Sequence, residues 1–120
     1  IPVCSDETGA LHGVEAVIDK DHVAGLLASN LAAELLVIAT AVEKVAVGFG
    51  TSQQTWMDKM SVSEARQYLD AGEFPTGSMR PKIEAILEFL DAGVRAGLIT
   101  NPLHLGRAVA WHTGTWIYPD

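Results

Sequence analysis

The sequence has 120 residues, 48% of them hydrophobic and 19% charged, which is typical of a folded domain and not of a disordered chain. Its formal net charge of -7 leaves no excess of Lys and Arg to neutralise nucleic-acid phosphates, which argues against a nucleic-acid partner. No apolar run approaches the ~18 residues of a membrane-spanning helix, so we expect no membrane partner. The single cysteine, Cys4, has no partner within the chain, and a reducing cytoplasm is the simplest compartment. Because the chain starts without Met, on Ile1-Pro2-Val3, we expect it to be a piece of a longer polypeptide.

The first half of the chain predicts a helix followed by buried strands. Asp19 and Asp21 are both candidate N-caps, and the apolar residues between Val23 and Leu31 recur at helical spacing. Residues 34–40 form a continuous, β-branched run that predicts a strand buried on both faces, as in a parallel sheet. Residues 45–49 predict a shorter strand.

The second half predicts three further helices and two strands. Ser61 and Glu64 form a capping box at the start of one helix, and Gly72 supplies its end. Pro81 suits the first turn of the next helix, where a missing N–H costs nothing. The buried face of that helix is predicted to hold Ile83, Ile86, Leu87 and Leu90, and short strands at 98–100 and 115–118 flank a helix over 103–110.

Strands that alternate with helices predict an α/β fold, with the loops after parallel strands gathered at one end to bind ligands. Three segments carry candidate ligand-binding residues. In the first, Lys20 can contact a phosphate at a helix N-terminus, and Asp21 can orient lysine ammonium groups or bind a magnesium ion. Helix capping together with solvated charge is the alternative interpretation of this segment.

The second segment is Gly77 to Lys82, in which a glycine-containing loop delivers a lysine to the first turn of a helix. A positive charge there opposes the helix dipole, a cost that a contact with a transferring phosphoryl group would justify. The third segment is Thr40 to Gly50, a strand end followed by Phe49 between glycines, which can line the pocket of a base or can be an ordinary core strand. The four histidines show no metal-ligand spacing, so no protein metal site is expected.

Taken together, these segments resemble the carbamate kinase branch of the amino acid kinase family. The resemblance extends over essentially the whole chain in matching order and spacing. It is carried by the stretches 13–21, 40–46, 49–50, 73–85 and 114–115, which read GVEAVIDKD, TAVEKVA, FG, EFPTGSMRPKIEA and GT.

The resemblance implies an open three-layer α/β/α sandwich with a mainly parallel sheet, a homodimer, and transfer of the γ-phosphoryl group of ATP to carbamate. The reaction gives ADP and carbamoyl phosphate, is reversible, and uses Mg²⁺ with the nucleotide. The resemblance makes Asp21 the carboxylate that positions catalytic lysines and Lys82 the stabiliser of charge on the transferring phosphoryl group. The nucleotide site is implied to hold Lys20, Thr40, Phe49, Met79 and Lys82.

Two positions depart from the family pattern. Many relatives carry an acid where this chain has Ala41, although the carbamate kinase branch varies there. Arg80 stands where a small or apolar residue is usual, and it either adds a phosphate contact or crowds the site. Residues 1–120 as a whole resemble the C-terminal nucleotide-binding portion of the family, and nothing in them matches the glycine-rich loops of the N-terminal acceptor-binding portion. We therefore expect either one part of an active kinase or a nucleotide-binding fragment without turnover.

Overall fold

The computed structural model describes residues 1–93 and 95–120. None of the helices within these ranges is long and apolar enough to cross a membrane. In chain order the elements are β1 (Val3–Ser5), β2 (Leu11–Gly13), α1 (Lys20–Asn30), β3 (Leu35–Ala39), β4 (Val45–Val47), β5 (Thr55–Met57), β6 (Lys59–Ser61), α2 (Val62–Asp70), α3 (Met79–Asp91), β7 (Ala96–Thr100), a 3₁₀ turn over Pro102–His104, α4 (Leu105–Val109) and β8 (Thr115–Tyr118).

The main sheet has four strands in the order β3-β7-β8-β6. β3 pairs with β7 in parallel, and β6 pairs with β8 in parallel, whereas β7 and β8 are antiparallel. Two of the three pairings are therefore parallel, which confirms the predicted mainly parallel sheet. β1 with β2 and β4 with β5 form two separate antiparallel hairpins.

Helices cover both faces of the main sheet. Ile99 and Ile117 face a core that includes buried residues of α1 and α3. Leu98 and Trp116, which alternate with them along β7 and β8, face Ala108 of α4 on the other side. The result is the three-layer α/β/α arrangement expected from the sequence.

Helix α3 packs against both the sheet and α1. Its predicted apolar face is confirmed, since Ile83 and Ile86 are completely buried. A Cβ atom on Gly97 of β7 would lie 2.2 Å from Ile86 Cγ2, so this strand approaches the helix only because residue 97 has no side chain. A Cβ atom on Gly25 of α1 would lie 2.9 Å from the carbonyl oxygen of Ala85, so α1 and α3 are also in close contact. These contacts hold the beginnings of α1 and α3 at fixed positions.

The structure corrects two expectations about burial. β3 is an edge strand in which only Leu36 and Ile38 are buried, so the prediction that both of its faces are buried is wrong. Helix α1 forms as predicted, but it packs through Gly25 and Ala28, the small residues that allow α3 to approach. The apolar residues whose spacing predicted α1 are at least 44% exposed, namely Val23, Leu26, Leu27 and Leu31.

Candidate functional site

The first turns of α1 and α3 bring together the two residues predicted to be catalytic. Lys82 Nζ donates a hydrogen bond of 2.8 Å to Asp21 Oδ2, although the residues are 61 positions apart in the sequence. The two side chains are only 12% and 10% exposed. An ion pair this far removed from water is only weakly screened, so each charge holds the other in place.

A cap at the start of α1 fixes the position of Asp21. The carboxylate of Asp19 accepts hydrogen bonds from the backbone N–H groups of Asp21 at 2.8 Å and His22 at 3.1 Å. The His22 N–H bond, followed by the Asp21 N–H bond and nearby positive charges, lowers the pKa of Asp19 against the effect of burial. Of the two candidate N-caps, Asp19 is therefore the cap, and Asp21 is left to contact Lys82.

Helix α3 begins at Met79, so Lys82 lies in its first turn, as predicted. Two backbone hydrogen bonds shape the loop before α3. The carbonyl oxygen of Pro75 accepts them from Ser78 N at 3.3 Å and from Arg80 N at 3.0 Å. The dipole of α3 disfavours a cation at this end, and Asp21 supplies the compensating negative charge. The arrangement presents an ammonium group that is oriented by a carboxylate and lies beside two helix N-termini, which is suited to binding an anion.

The same turn of α3 borders a mainly apolar cavity of about 100 Å³. Phe49 and Met79 both line it, so these two predicted nucleotide-site residues are brought together. Phe49 is 57% exposed and offers an open aromatic face on which a flat base can stack. The remaining lining residues are Val42, Lys44, Ala46, Trp56, Pro75 and Ser78.

A second, adjoining cavity of about 400 Å³ is lined by Val42, Glu43, Lys44 and Trp56. Three of these residues also line the first cavity, so the two spaces share one wall. The combined groove therefore runs along the loop between β3 and β4.

The turn that carries Phe49 is held by a residue on a distant loop. Gly48 adopts a φ of 62°, and its N–H donates a 2.7 Å hydrogen bond to Glu73 Oε2. Glu73 belongs to the loop that follows α2. This contact joins the Phe49 turn to the segment that leads into α3.

The other predicted residues lie outside the cavity. Lys20 is exposed at the first position of α1, directly before Asp21. Thr40 follows β3, and its N–H donates a 2.8 Å hydrogen bond to the carbonyl oxygen of Thr100 at the end of β7. Their roles in nucleotide binding remain predictions.

The two departures from the family pattern do not disturb the Asp21–Lys82 pair. Ala41 is exposed in the loop after β3. Arg80 Nε donates a 2.8 Å hydrogen bond to Glu84 Oε1 one turn later in α3, and both residues border the groove between α2 and α3. The Arg80 side chain therefore lies at the groove between α2 and α3, and its effect on phosphate binding stays a prediction.

Sequence reasoning missed Trp56 as a residue of this site. Trp56 is 49% exposed and reaches the cavity because β5 pairs with β4 and places it opposite Ala46. The three-residue strand β5 has no alternating pattern that predicts it, so no feature of the sequence indicated this contact.

The profile of the Amino acid kinase family matches residues 1–101. Carbamate kinase-like protein YahI of Escherichia coli is 44% identical over 117 residues, which cover 98% of this chain and 37% of YahI. Carbamate kinase 3 of Staphylococcus aureus is 42% identical over 118 residues, which cover 98% of this chain and 38% of that protein. The chain thus spans about two-fifths of the length of these curated relatives.

Solved structures show the same relationship. Carbamate kinase from Giardia lamblia bound to AMP-PNP matches with a TM-score of 0.95 and 32% identity, over 100% of this chain and 42% of that chain. N-acetylglutamate synthase from Neisseria gonorrhoeae, in complex with coenzyme A and N-acetyl-glutamate, matches with a TM-score of 0.74 at 22% identity, over 99% of this chain and 27% of that chain, and shares the fold.

Proposed function

The chain belongs to the amino acid kinase family, and we propose that it is the nucleotide-binding portion of a carbamate kinase-type phosphotransferase. In this reaction the bond between the γ-phosphorus of ATP and the oxygen that joins it to the β-phosphate breaks. A new bond forms between that phosphorus and a carbamate oxygen, and the products are ADP and carbamoyl phosphate. The groups that bind carbamate are proposed to belong to the N-terminal portion of the family, and these 120 residues are proposed to be its C-terminal portion.

One observation carries the proposal. The first turn of α3 places Met79 in the aromatic-lined cavity and Lys82 against Asp21. A base in the cavity and phosphates near the ammonium group would therefore lie along one helix N-terminus. A nucleotide carries a flat base at one end and anionic phosphates at the other, so its binding site needs an apolar end and a cationic end.

The proposed roles follow from charge. Lys82 stabilises the negative charge on the phosphoryl oxygens during transfer, and Asp21 keeps its ammonium group in position. Lys20, next to Asp21 at the start of α1, adds a second cation for the phosphates. Phe49 and Met79 contact the base, and Thr40 belongs to the same site at the end of β3.

Magnesium is expected to accompany the nucleotide, and the described residues alone do not supply a cluster of ligands for it. Among the described residues, no three His, Cys, Asp or Glu side chains converge to hold a metal ion. Asp21 already contacts Lys82. We therefore assign no step to a metal held by these residues.

An alternative function is nucleotide binding without turnover, as in a pseudo-kinase fragment. The observation that favours it is that these 120 residues cover only 37% and 38% of the length of the two curated relatives named above. Phosphoryl transfer requires positioning and charge stabilisation from both sides of the phosphate, which a part of the fold supplies only in part. A homodimeric, cytoplasmic full-length protein belongs to the main proposal and rests on the family resemblance.

Calorimetry with ADP tests the proposal. We expect Phe49→Ala to raise the Kd about tenfold, because stacking on an aromatic is worth about 1–3 kcal/mol per base. Lys20→Ala should also raise the Kd, because it removes a cation next to the phosphates. Leu103→Ala, at a 91% exposed position outside the cavity, is the control and should bind like the original chain. Unchanged affinity in both Phe49→Ala and Lys20→Ala would remove these residues from the site.

A further inference from the structure

The loop between β3 and β4, residues 40–44, forms a wall of the proposed nucleotide groove. Val42 and Lys44 line both cavities, and Glu43 lines the larger one. The conformation of this loop therefore decides the shape of the groove.

Among the described residues, the backbone hydrogen bonds of this loop and of the residue that follows it lie at its two ends. Thr40 N–H donates to the Thr100 carbonyl oxygen at 2.8 Å, and Val45 N–H donates to Thr115 Oγ1 at 2.8 Å. Within the described part of the chain, residues 41–44 form no backbone–backbone hydrogen bond. Side chains must therefore restrain the middle of the loop, because a short segment without such contacts samples many conformations.

Glu43 provides one such restraint, and the ion pair of Lys44 with Asp58 provides another. Its carboxylate accepts a hydrogen bond from the hydroxyl of Thr113, a buried residue just before β8. Its Oε2 atom also lies 3.7 Å from His104 Nε2. His104 is fixed in turn by Asn101, whose Oδ1 accepts from His104 N at 3.0 Å and lies 2.7 Å from His104 Nδ1.

The surroundings of Glu43 keep it ionised. The Thr113 hydroxyl lowers the pKa of Glu43 most strongly, and the charges of His104, Lys44 and Arg107 lower it further, against the effect of burial. A carboxylate accepts a stronger hydrogen bond than a neutral group does, so the hydrogen bond from the Thr113 hydroxyl to Glu43 is strong at neutral pH.

We propose that Glu43 is a positioning residue which, through Thr113 and His104, holds the 40–44 loop in its nucleotide-binding conformation and thereby sets nucleotide affinity. The inference rests on the proposed function but adds a determinant that does not itself contact the phosphates. Releasing the loop lowers the population of the binding-competent conformation, and the apparent Kd rises in inverse proportion to that population.

Calorimetry of the 120-residue chain with ADP tests the inference. We expect Glu43→Ala and Thr113→Val to raise the Kd about fivefold, which corresponds to a loop in the competent conformation about one-fifth of the time. Thr113→Ser keeps the hydroxyl and should bind within about twofold of the original chain. Asp91→Ala removes an exposed ion pair with Arg66 on the opposite side of α3 and serves as the control.

The affinities of these variants for ADP either support the positioning role of Glu43 or overturn it. The double variant Glu43→Ala/Thr113→Val should bind like Glu43→Ala, because removing the carboxylate already removes its contact with the Thr113 hydroxyl. Affinity in Glu43→Ala and Thr113→Val within twofold of the original overturns the inference while leaving the proposed function intact. Equal losses in Thr113→Ser and Thr113→Val overturn it as well, because the hydroxyl would then be irrelevant. An original chain that does not bind ADP overturns the proposed function, and the inference with it. If Glu43→Ala does not fold, the comparison of Thr113→Val with Thr113→Ser decides alone.

Discussion

Breaking the Asp21–Lys82 ion pair should destabilise the fold far more than breaking a surface pair. At 2.8 Å and an effective dielectric constant of about 20, the attraction between the two charges is about 6 kcal/mol before desolvation is subtracted. The side chains are 12% and 10% exposed, so replacing one of them leaves the other charge almost buried and uncompensated.

We expect Lys82→Met and Asp21→Asn each to lower the free energy of unfolding by about 3 kcal/mol. The double variant Lys82→Met/Asp21→Asn leaves no orphaned charge and should lose no more than about 3 kcal/mol in total. The cycle then gives a coupling energy of about 3 kcal/mol. Removing the second charge is therefore expected to cost little once the first is gone, because the single losses come mainly from the charge left without its partner.

Urea denaturation followed by circular dichroism measures these values. The matched control is the pair Arg66–Asp91, with a shortest N–O distance of 2.6 Å and side chains 49% and 58% exposed. Arg66→Met should cost less than about 1 kcal/mol. A loss in Lys82→Met no larger than in Arg66→Met, or a coupling energy near zero, would refute the reasoning.

Two further predictions concern regions away from the site. Asp6 accepts hydrogen bonds that lower its pKa to about 2, chiefly from the Thr8 hydroxyl. Because the folded pKa lies below the ordinary value, the stability Asp6 contributes is present above about pH 4 and is lost as the pH falls through about 2. An NMR titration of its carboxyl carbon checks this, and a midpoint near the ordinary value of 3.8 contradicts it. Gly97→Ala should cost about 2 kcal/mol in a denaturant melt, because the new Cβ would overlap Ile86. Gly106→Ala, with nothing within 4 Å, is its control, and equal effects of the two would disprove the close approach of β7 to α3.

Features set by neighbouring residues were predicted well from the sequence. Ser61 and Glu64 form both hydrogen bonds of the predicted capping box, with Glu64 N donating to Ser61 Oγ and Ser61 N donating to Glu64 Oε2. Gly72 follows α2 with a φ of 75°, as a glycine at a helix end does. β8 has the predicted bounds of 115–118. These signals are local, so nothing distant is needed to interpret them.

Features set by distant contacts could not be predicted in this way. The contact between Glu43 and Thr113 joins residues 70 positions apart, and no pattern around either one indicates it. Trp56 reaches the groove through the register of a three-residue strand. The first turns of the two helices that hold Asp21 and Lys82 were predicted from the sequence, but only the family resemblance indicated that these two residues belong to one site.

An NMR titration of the isotope-labelled chain with ADP tests the central claim most directly. We expect backbone amide shifts concentrated in residues 20–21, 40–49 and 78–82, which are the start of α1, the groove wall with the Phe49 turn, and the first turn of α3. The groove between α2 and α3, which Arg66 and Asp70 border, should remain unaffected. Shifts confined to that second groove, or no shifts at millimolar ADP, would contradict the claim that these 120 residues form a nucleotide-binding portion.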